Sequence, residues 1–152
     1  MHGLIICLLV AVDQVTKVLS QRFLMTAAPI VLIENFLQLN YLENRGASFG
    51  ILQEQRMFFI VLTTVIIIGI IWYRLNNNRL TRLSKITLDF VMAGALGNYI
   101  DRIRLGYVID MIDVNFWGWY DFPIFNFADI WIVCGTFFLA GLIMLDKQEM
   151  DG

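Results

Sequence analysis

The stretch FFIVLTTVIIIGIIWY, residues 58–73, decides the class of this chain. It holds no charged residue, and with Met57 it reaches the short end of the roughly 17–25 apolar residues that a membrane-spanning helix needs. Working outward from it, three more apolar segments lie at about 4–19, 86–103 and 128–145. The chain has 152 residues, 59% of them hydrophobic. Soluble domains sit nearer half apolar, and here the excess is concentrated in these four blocks. The expected fold is an α-helical integral membrane protein with four transmembrane helices in a single membrane-embedded domain, residues 1–152.

The connection after 58–73 carries Arg74, Arg79, Arg82 and Lys85, with no acid before Asp89. Cytoplasmic loops carry such an excess of Lys and Arg. Spans alternate, so both termini are expected on the cytoplasmic side and the segments 20–56 and 104–127 on the outer side. The first span lacks a basic leader, and Asp13 and Lys17 interrupt it, which argues against a cleavable signal peptide. Within the first outward segment, FLQLNYL at 36–42 alternates Leu37, Leu39 and Tyr41 with Gln38 and Asn40, the period of a half-buried strand. ENRGASFG at 43–50 follows with turn glycines. FWGWYDF at 116–122 is aromatic, as segments at the membrane–water boundary are.

Several chemistries are excluded early. The formal net charge of -2 gives no reason to expect a nucleic-acid partner. The single histidine, His2, rules out histidine-rich metal sites and Ser-His or Cys-His nucleophiles within one chain. Cys7 and Cys134 lie in different spans at different depths, so buried free thiols are expected and no disulfide.

Ionisable residues inside a membrane are costly, and are retained for pairing or function. Asp13 and Lys17 share a helix face at i, i+4, the spacing of an ion pair with Lys17 snorkelling outward. Asn44 and Gly46 stand in a stretch that reads either as a turn or as a peptide-binding group. Asn98, Asp101 and Arg102 fall at i, i+3 and i+4 on one face, beside Gly94 and Gly97, which permit close helix contact. Asp110 and Asp129 both fall near the outer boundary, one after the third span and one opening the fourth. Asn126 and Asp129 also occupy positions where helix caps belong. Two neighbouring carboxylates share a proton, so one can activate water while the other polarises a carbonyl. Asp101 and Asp113 are rival partners on composition alone. A second reading takes Asp13, Lys17, Asp89, Asp101 and Arg102 as the path of a small polytopic transporter or ion-conducting protein. A third takes Ser48 as nucleophile with Lys17 as base.

Five motifs occur in order: DQVTK at 13–17, NRGASFG at 44–50, GNYIDR at 97–102, VID at 108–110 and FNFAD at 125–129. Together they resemble the lipoprotein signal peptidase (type II) family. Two positions depart from its pattern: Met111 stands where phenylalanine is usual, and Ala93 where glycine is frequent. The resemblance implies Asp110 and Asp129 as catalytic aspartates, with Asn126 and Arg102 lining the site. It also implies Asp13, Lys17, Asn44, Gly46, Asn98 and Asp101 as supporting or ligand-binding positions. It implies a small outward β-sheet cradle and a short covering helix. The implied substrate is a prolipoprotein whose lipobox cysteine carries a diacylglyceryl group, cut just before that cysteine in the bacterial inner membrane. The other implied partners are membrane lipids and inhibitors of the globomycin type. A monomer is expected, and no metal or organic cofactor is implied.

Overall fold

The computed structural model describes residues 2–46 and 52–149. In chain order the elements are α1 (His2–Leu24), β1 (Ile30–Ile33), β2 (Leu37–Asn44), α2 (Arg56–Asn76), α3 (Arg82–Arg104), β3 (Val108–Val114) and α4 (Phe127–Met144). The four helices are the four expected spans. α1, α2 and α4 are long and apolar enough to cross a membrane. α3 is too polar for that on composition, because it is the centre of the bundle. It packs against α4, α1 and α2, and buries Ser84, Thr87, Asp89, Asn98 and Asp101 against them. α2 buries none of its residues, so nearly its whole apolar surface faces lipid.

Helix ends differ from the apolar limits for local reasons. α1 runs through to Leu24, and α3 begins at Arg82 rather than about 86. Thr81 caps α3, its hydroxyl accepting from the Ser84 amide at 3.2 Å, which lets helix form ahead of the apolar run. At the same end of the bundle, buried Asp89 accepts from Arg74 and lies 2.6 Å from His2 Nδ1, joining α3 to the ends of α2 and α1. Cys7 and Cys134 are free as expected, but Cys7 is exposed and Cys134 half-buried, because both point out of the bundle toward lipid.

At the opposite end lies an antiparallel sheet of order β1-β2-β3. The alternation read at 36–42 is that of β2. Leu37 and Leu39 turn toward α1, while the Gln38 and Asn40 amides reach Asp113 Oδ2 at 2.7 and 3.4 Å. A bulge between Leu39 and Leu42 resets the register, so that Leu42 pairs with Asp110 and Asn44 with Val108. The covering helix implied by the resemblance is not among the elements of the described residues. Residues 115–126 form turns and bridges instead, and residues 47–51 lie outside the described residues. In the aromatic stretch Trp117 stacks on Phe36 at 5.0 Å and Trp119 is 91% exposed, as anchors at a membrane surface would be.

The two glycines singled out on α3 are where it meets its neighbours. A Cβ on Gly94 would stand 2.2 Å from the Ala128 carbonyl oxygen, and one on Gly97 would stand 2.4 Å from Asp13 Oδ2. Backbone and a buried carboxylate cannot yield, so any side chain forces α3 from α4 or α1. Gly94→Val is therefore expected to cost about 3 kcal/mol, the upper end for overpacking. A lowered Tm of the purified protein in detergent would register it.

Candidate active site

The site forms where the sheet meets the ends of α1, α3 and α4. Its foundation is a buried charged cluster. Asp13 is 0% and Lys17 1% exposed. Lys17 Nζ lies 3.0 Å from Asp13 Oδ2 and 2.9 Å from Asp101 Oδ2. The i, i+4 pair is as expected, but Lys17 does not snorkel outward: the second carboxylate, on α3, holds it in the bundle. Two acids face one base, and neutral donors complete the hydrogen bonding of both carboxylates. The Ala128 amide donates to Asp13 Oδ1 at 2.9 Å and the Ile109 amide to Asp101 Oδ2 at 3.2 Å. Gln14 Nε2 bridges both acids, at 3.2 Å from Asp13 Oδ2 and 3.0 Å from Asp101 Oδ1.

From this cluster a chain of amides leads to the two outer carboxylates. Lys17 Nζ donates to Asn98 Oδ1 at 3.0 Å, and Asn126 Nδ2 donates to the same oxygen at 3.1 Å. With its oxygen so engaged, the Asn98 amide must turn its nitrogen the other way. Asn98 Nδ2 donates to Asp129 Oδ1 at 2.8 Å. Asn126 is 0% exposed and touches both acids. Its side chain donates to Asp110 Oδ1 at 2.6 Å, and its backbone amide donates to Asp129 Oδ2 at 3.2 Å. The Asp129 amide donates back to Asn126 Oδ1 at 3.0 Å, completing a reciprocal cap at the start of α4. Capping and site-building are thus the same contacts.

Asp110, 1% exposed on β3, takes its second hydrogen bond from Asn44 Nδ2 at 2.9 Å. Asn44 Oδ1 accepts from the Gly46 amide at 3.0 Å, so the residue makes its turn and reaches the acid together. Burial pushes the Asp110 carboxyl up to about 7, and the Asp129 charge adds to it. The hydrogen bonds from Asn44 and Asn126 and the charge of Lys17 pull the other way. Neither rival acid is available: Asp101 belongs to Lys17, and Asp113 to Gln38 and Asn40.

Asp13, Lys17, Asn44, Gly46, Asn98, Asp101, Asp110, Asn126 and Asp129 therefore come together in one network. Arg102 stands beside it. Its guanidinium joins the network by donating to the Gly46 carbonyl at 3.3 Å, lies 4.7 Å from the Phe59 ring centroid, and is within electrostatic reach of Asp129, Asp110 and Asp101. Ser48, on which a serine–lysine mechanism would turn, lies outside the described residues, as do Ala47, Phe49 and Gly50 of the second motif. Gln14 and Arg56 were missed by sequence reasoning. Gln14 was legible as the second residue of DQVTK, one position from Asp13. Arg56 donates to the Arg102 and Ile103 carbonyls at 2.8 and 2.9 Å, closing the end of α3, and nothing in the sequence marks it.

A family model for signal peptidase (SPase) II matches residues 5–145. The lipoprotein signal peptidase of Clostridium novyi (strain NT) is 41% identical over 148 residues, covering 97% of this chain and 100% of that protein. The lipoprotein signal peptidase of Caldanaerobacter subterraneus subsp. tengcongensis is 44% identical over 146 residues, 94% of each chain. A bacterial membrane enzyme solved by the in meso method superposes with a TM-score of 0.88 at 33% identity, across 99% of this chain and 93% of that one. A second solved bacterial membrane enzyme gives 0.83 at 35% identity, across 95% and 92%. Nothing among these relatives supports a transporter or ion-conducting protein. A membrane helical bundle with this motif set, matched from Ile5 to Leu145, belongs to the signal peptidase II family.

Proposed function

We propose that the chain removes the signal peptide from diacylglyceryl-modified prolipoproteins as an aspartic endopeptidase, cutting before the lipidated cysteine, with Asp110 and Asp129 as the catalytic pair. The observation that carries this reading is Asn126: one buried residue hydrogen-bonds both carboxyl groups. Acids held that close share a proton, and their titration belongs to the pair. The ionised member takes a proton from water, and the protonated member donates to the scissile carbonyl. Water attacks the carbonyl carbon, and the peptide nitrogen leaves as an amine carrying the proton returned by the pair. Asn44, Asn98 and Asn126 fix the carboxyl groups, and Lys17 fixes Asn98.

The basic residues Arg74, Arg79, Arg82 and Lys85 lie at the bundle end opposite the sheet, which supports a cytoplasmic position there and an outward-facing site in the bacterial inner membrane. Both termini are then cytoplasmic. Both aspartates come from one chain, which supports a monomer as the working unit. Inhibition by a globomycin-type depsipeptide is expected on the same reading.

The test is a gel-shift cleavage assay of the reconstituted protein with a prolipoprotein, with and without its diacylglyceryl group. Cleavage of the lipidated form only is expected, and equal cleavage of the unlipidated form would refute the substrate assignment. The pH profile follows from Asp110. Its carboxyl holds a proton up to about pH 7, so activity is expected to decline as pH rises through that value and the shared proton is lost. Asn44→Ala removes a hydrogen bond that holds the carboxyl down, so the alkaline limb should move to higher pH while the rate falls. A limb that stays in place in the variant would count against this role for Asn44.

A further inference from the structure

Two contacts of the inner charged cluster fall at matching places. Asp13 Oδ1 accepts from the amide of Ala128, the residue before Asp129. Asp101 Oδ2 accepts from the amide of Ile109, the residue before Asp110. Each inner acid thus grips the chain one residue ahead of an outer one. Asp13 reaches from α1 to the first turn of α4, and Asp101 from α3 to β3. The outer acids therefore inherit their spacing from the inner two.

Lys17 joins the inner acids, but it meets each at one oxygen, Oδ2. A carboxylate turns easily about its last bond, so one such contact sets its plane only loosely. Gln14 supplies a second hold. Its Nε2 donates to Asp101 Oδ1 at 3.0 Å, to Asp13 Oδ2 at 3.2 Å and to the Gly97 carbonyl at 3.2 Å, two N–H groups shared among three acceptors. Asp101 is then held at both oxygens, and the aim of its Oδ2 at the Ile109 amide is set. Gln14 is half-buried in a span, where an amide joins helices by bonds of this kind.

We propose that Gln14 is a positioning residue for the cleavage: its amide locks Asp13 and Asp101 into a clamp that sets the separation of Asp110 and Asp129. The inference rests on the reading of those two as the catalytic pair. Gln14 acts through the clamp, since among the described residues its side-chain amide donates to Asp13, Gly97 and Asp101 and stops there. The charged groups within reach of Asp110 are Asp129 of α4, Lys17 of α1 and Arg102 of α3, and β2 faces it with the neutral Asn44. The Asp129 charge helps to keep the proton on Asp110. A slack clamp lets the pair spread, and that help weakens.

The test is steady-state kinetics of the reconstituted full chain on a lipidated prolipoprotein across pH, with Gln14→Met and Gln14→Asn beside wild type. Methionine matches the length without a donor, and asparagine keeps the amide one methylene short of Asp101. In both, kcat is expected to fall about tenfold with KM unchanged. The roughly hundredfold cost of a 1 Å misplacement is not reached, because Lys17 still holds both acids. The alkaline limb of the pH profile should move to lower pH, opposite to its movement in Asn44→Ala. A loss of stability alone would lower Tm and the amount of active protein without moving the limb. Gln14→Asn carries the test should Gln14→Met fail to fold. A folded Gln14 variant with the wild-type kcat, or with its limb in place, overturns the proposal. Asp110→Asn and Asp129→Asn run alongside separate the two claims. Cleavage at the wild-type rate in either removes the catalytic reading and the clamp's purpose with it, whereas two inactive aspartate variants beside an unaffected Gln14 variant remove the clamp alone.

Discussion

Asp110→Asn and Asp129→Asn are each expected to lower cleavage of a lipidated prolipoprotein by roughly 10²–10⁴-fold, the contribution of a positioned acid or base. The protein should still fold. Asp110 is buried with its carboxyl raised to about 7, so a neutral amide of the same shape replaces a group that is itself protonated over much of the ordinary pH range. One contact is lost. Asn44 and Asn126 each donate to one Asp110 oxygen, and an amide has a single oxygen to offer. At Asp129 an amide oxygen still accepts from Asn98 or from the Asn126 backbone, so the start of α4 keeps part of its cap. Asp113→Asn is the control: its carboxylate serves Gln38 and Asn40 on the sheet, and near-normal cleavage is expected. Gel-shift assays on the three variants, with Tm measured alongside, separate chemistry from folding. A folded Asp110→Asn or Asp129→Asn that cleaves at the wild-type rate would remove the aspartic mechanism.

The second large effect belongs to Lys17→Met. The side chain is similar in length and apolar, so it fits the space, but it leaves Asp13 and Asp101 facing each other without a cation. Removing one partner from a buried ion pair costs about 3–5 kcal/mol, because the remaining charge has no water to retreat to. Here two carboxylates are stranded. A fall of many degrees in Tm is expected, with loss of activity, since Asn98 would no longer be held by a charged donor. Adding Asp13→Asn and Asp101→Asn to Lys17→Met should recover part of the Tm, as removing whole charge clusters is far cheaper than breaking them. Activity should not return with it, because the charged donor to Asn98 is still missing and only Asn126 holds that oxygen.

Much of this architecture was readable from residues. Residues 58–73 announced α2 without ambiguity because α2 packs on α3 along one side only, buries none of its residues, and has little reason to be polar. α3 was the harder span: its polar residues are buried against protein, so hydropathy understates it, and its start at Arg82 depends on the Thr81 cap. The period-two pattern at 36–42 located β2. β1 escaped because Ile30–Ile33 is short and uniformly apolar, without alternation to mark it. In the site, motif spacing brought out the acids and amides, since a membrane makes such residues conspicuous. Their pairings were not readable. Lys17 pairs equally with an acid on its own helix and one on α3, and only packing shows that. Arg102 was grouped with Asn98 and Asp101 by spacing, but its contacts with Gly46 and the Phe59 ring, and its reach to Asp110 and Asp129, depend on packing that spacing does not show. Gly135 gave no signal at all, although a Cβ there would come 2.7 Å from the Thr87 carbonyl.

The hydrogen bond from the Ala128 amide to Asp13 has a consequence for biogenesis. It joins the earliest span to the latest. While the chain is being inserted, Asp13 and Lys17 enter the bilayer already matched, but Asp101 arrives later and Asn126 with Asp129 last of all. Until the closing helix threads into place, Asp110 has no companion acid and no bridging amide. If the two carboxyl groups act as the proposed pair, a chain that lacks its last helix is expected to cut nothing, and hydrolytic competence waits on that helix.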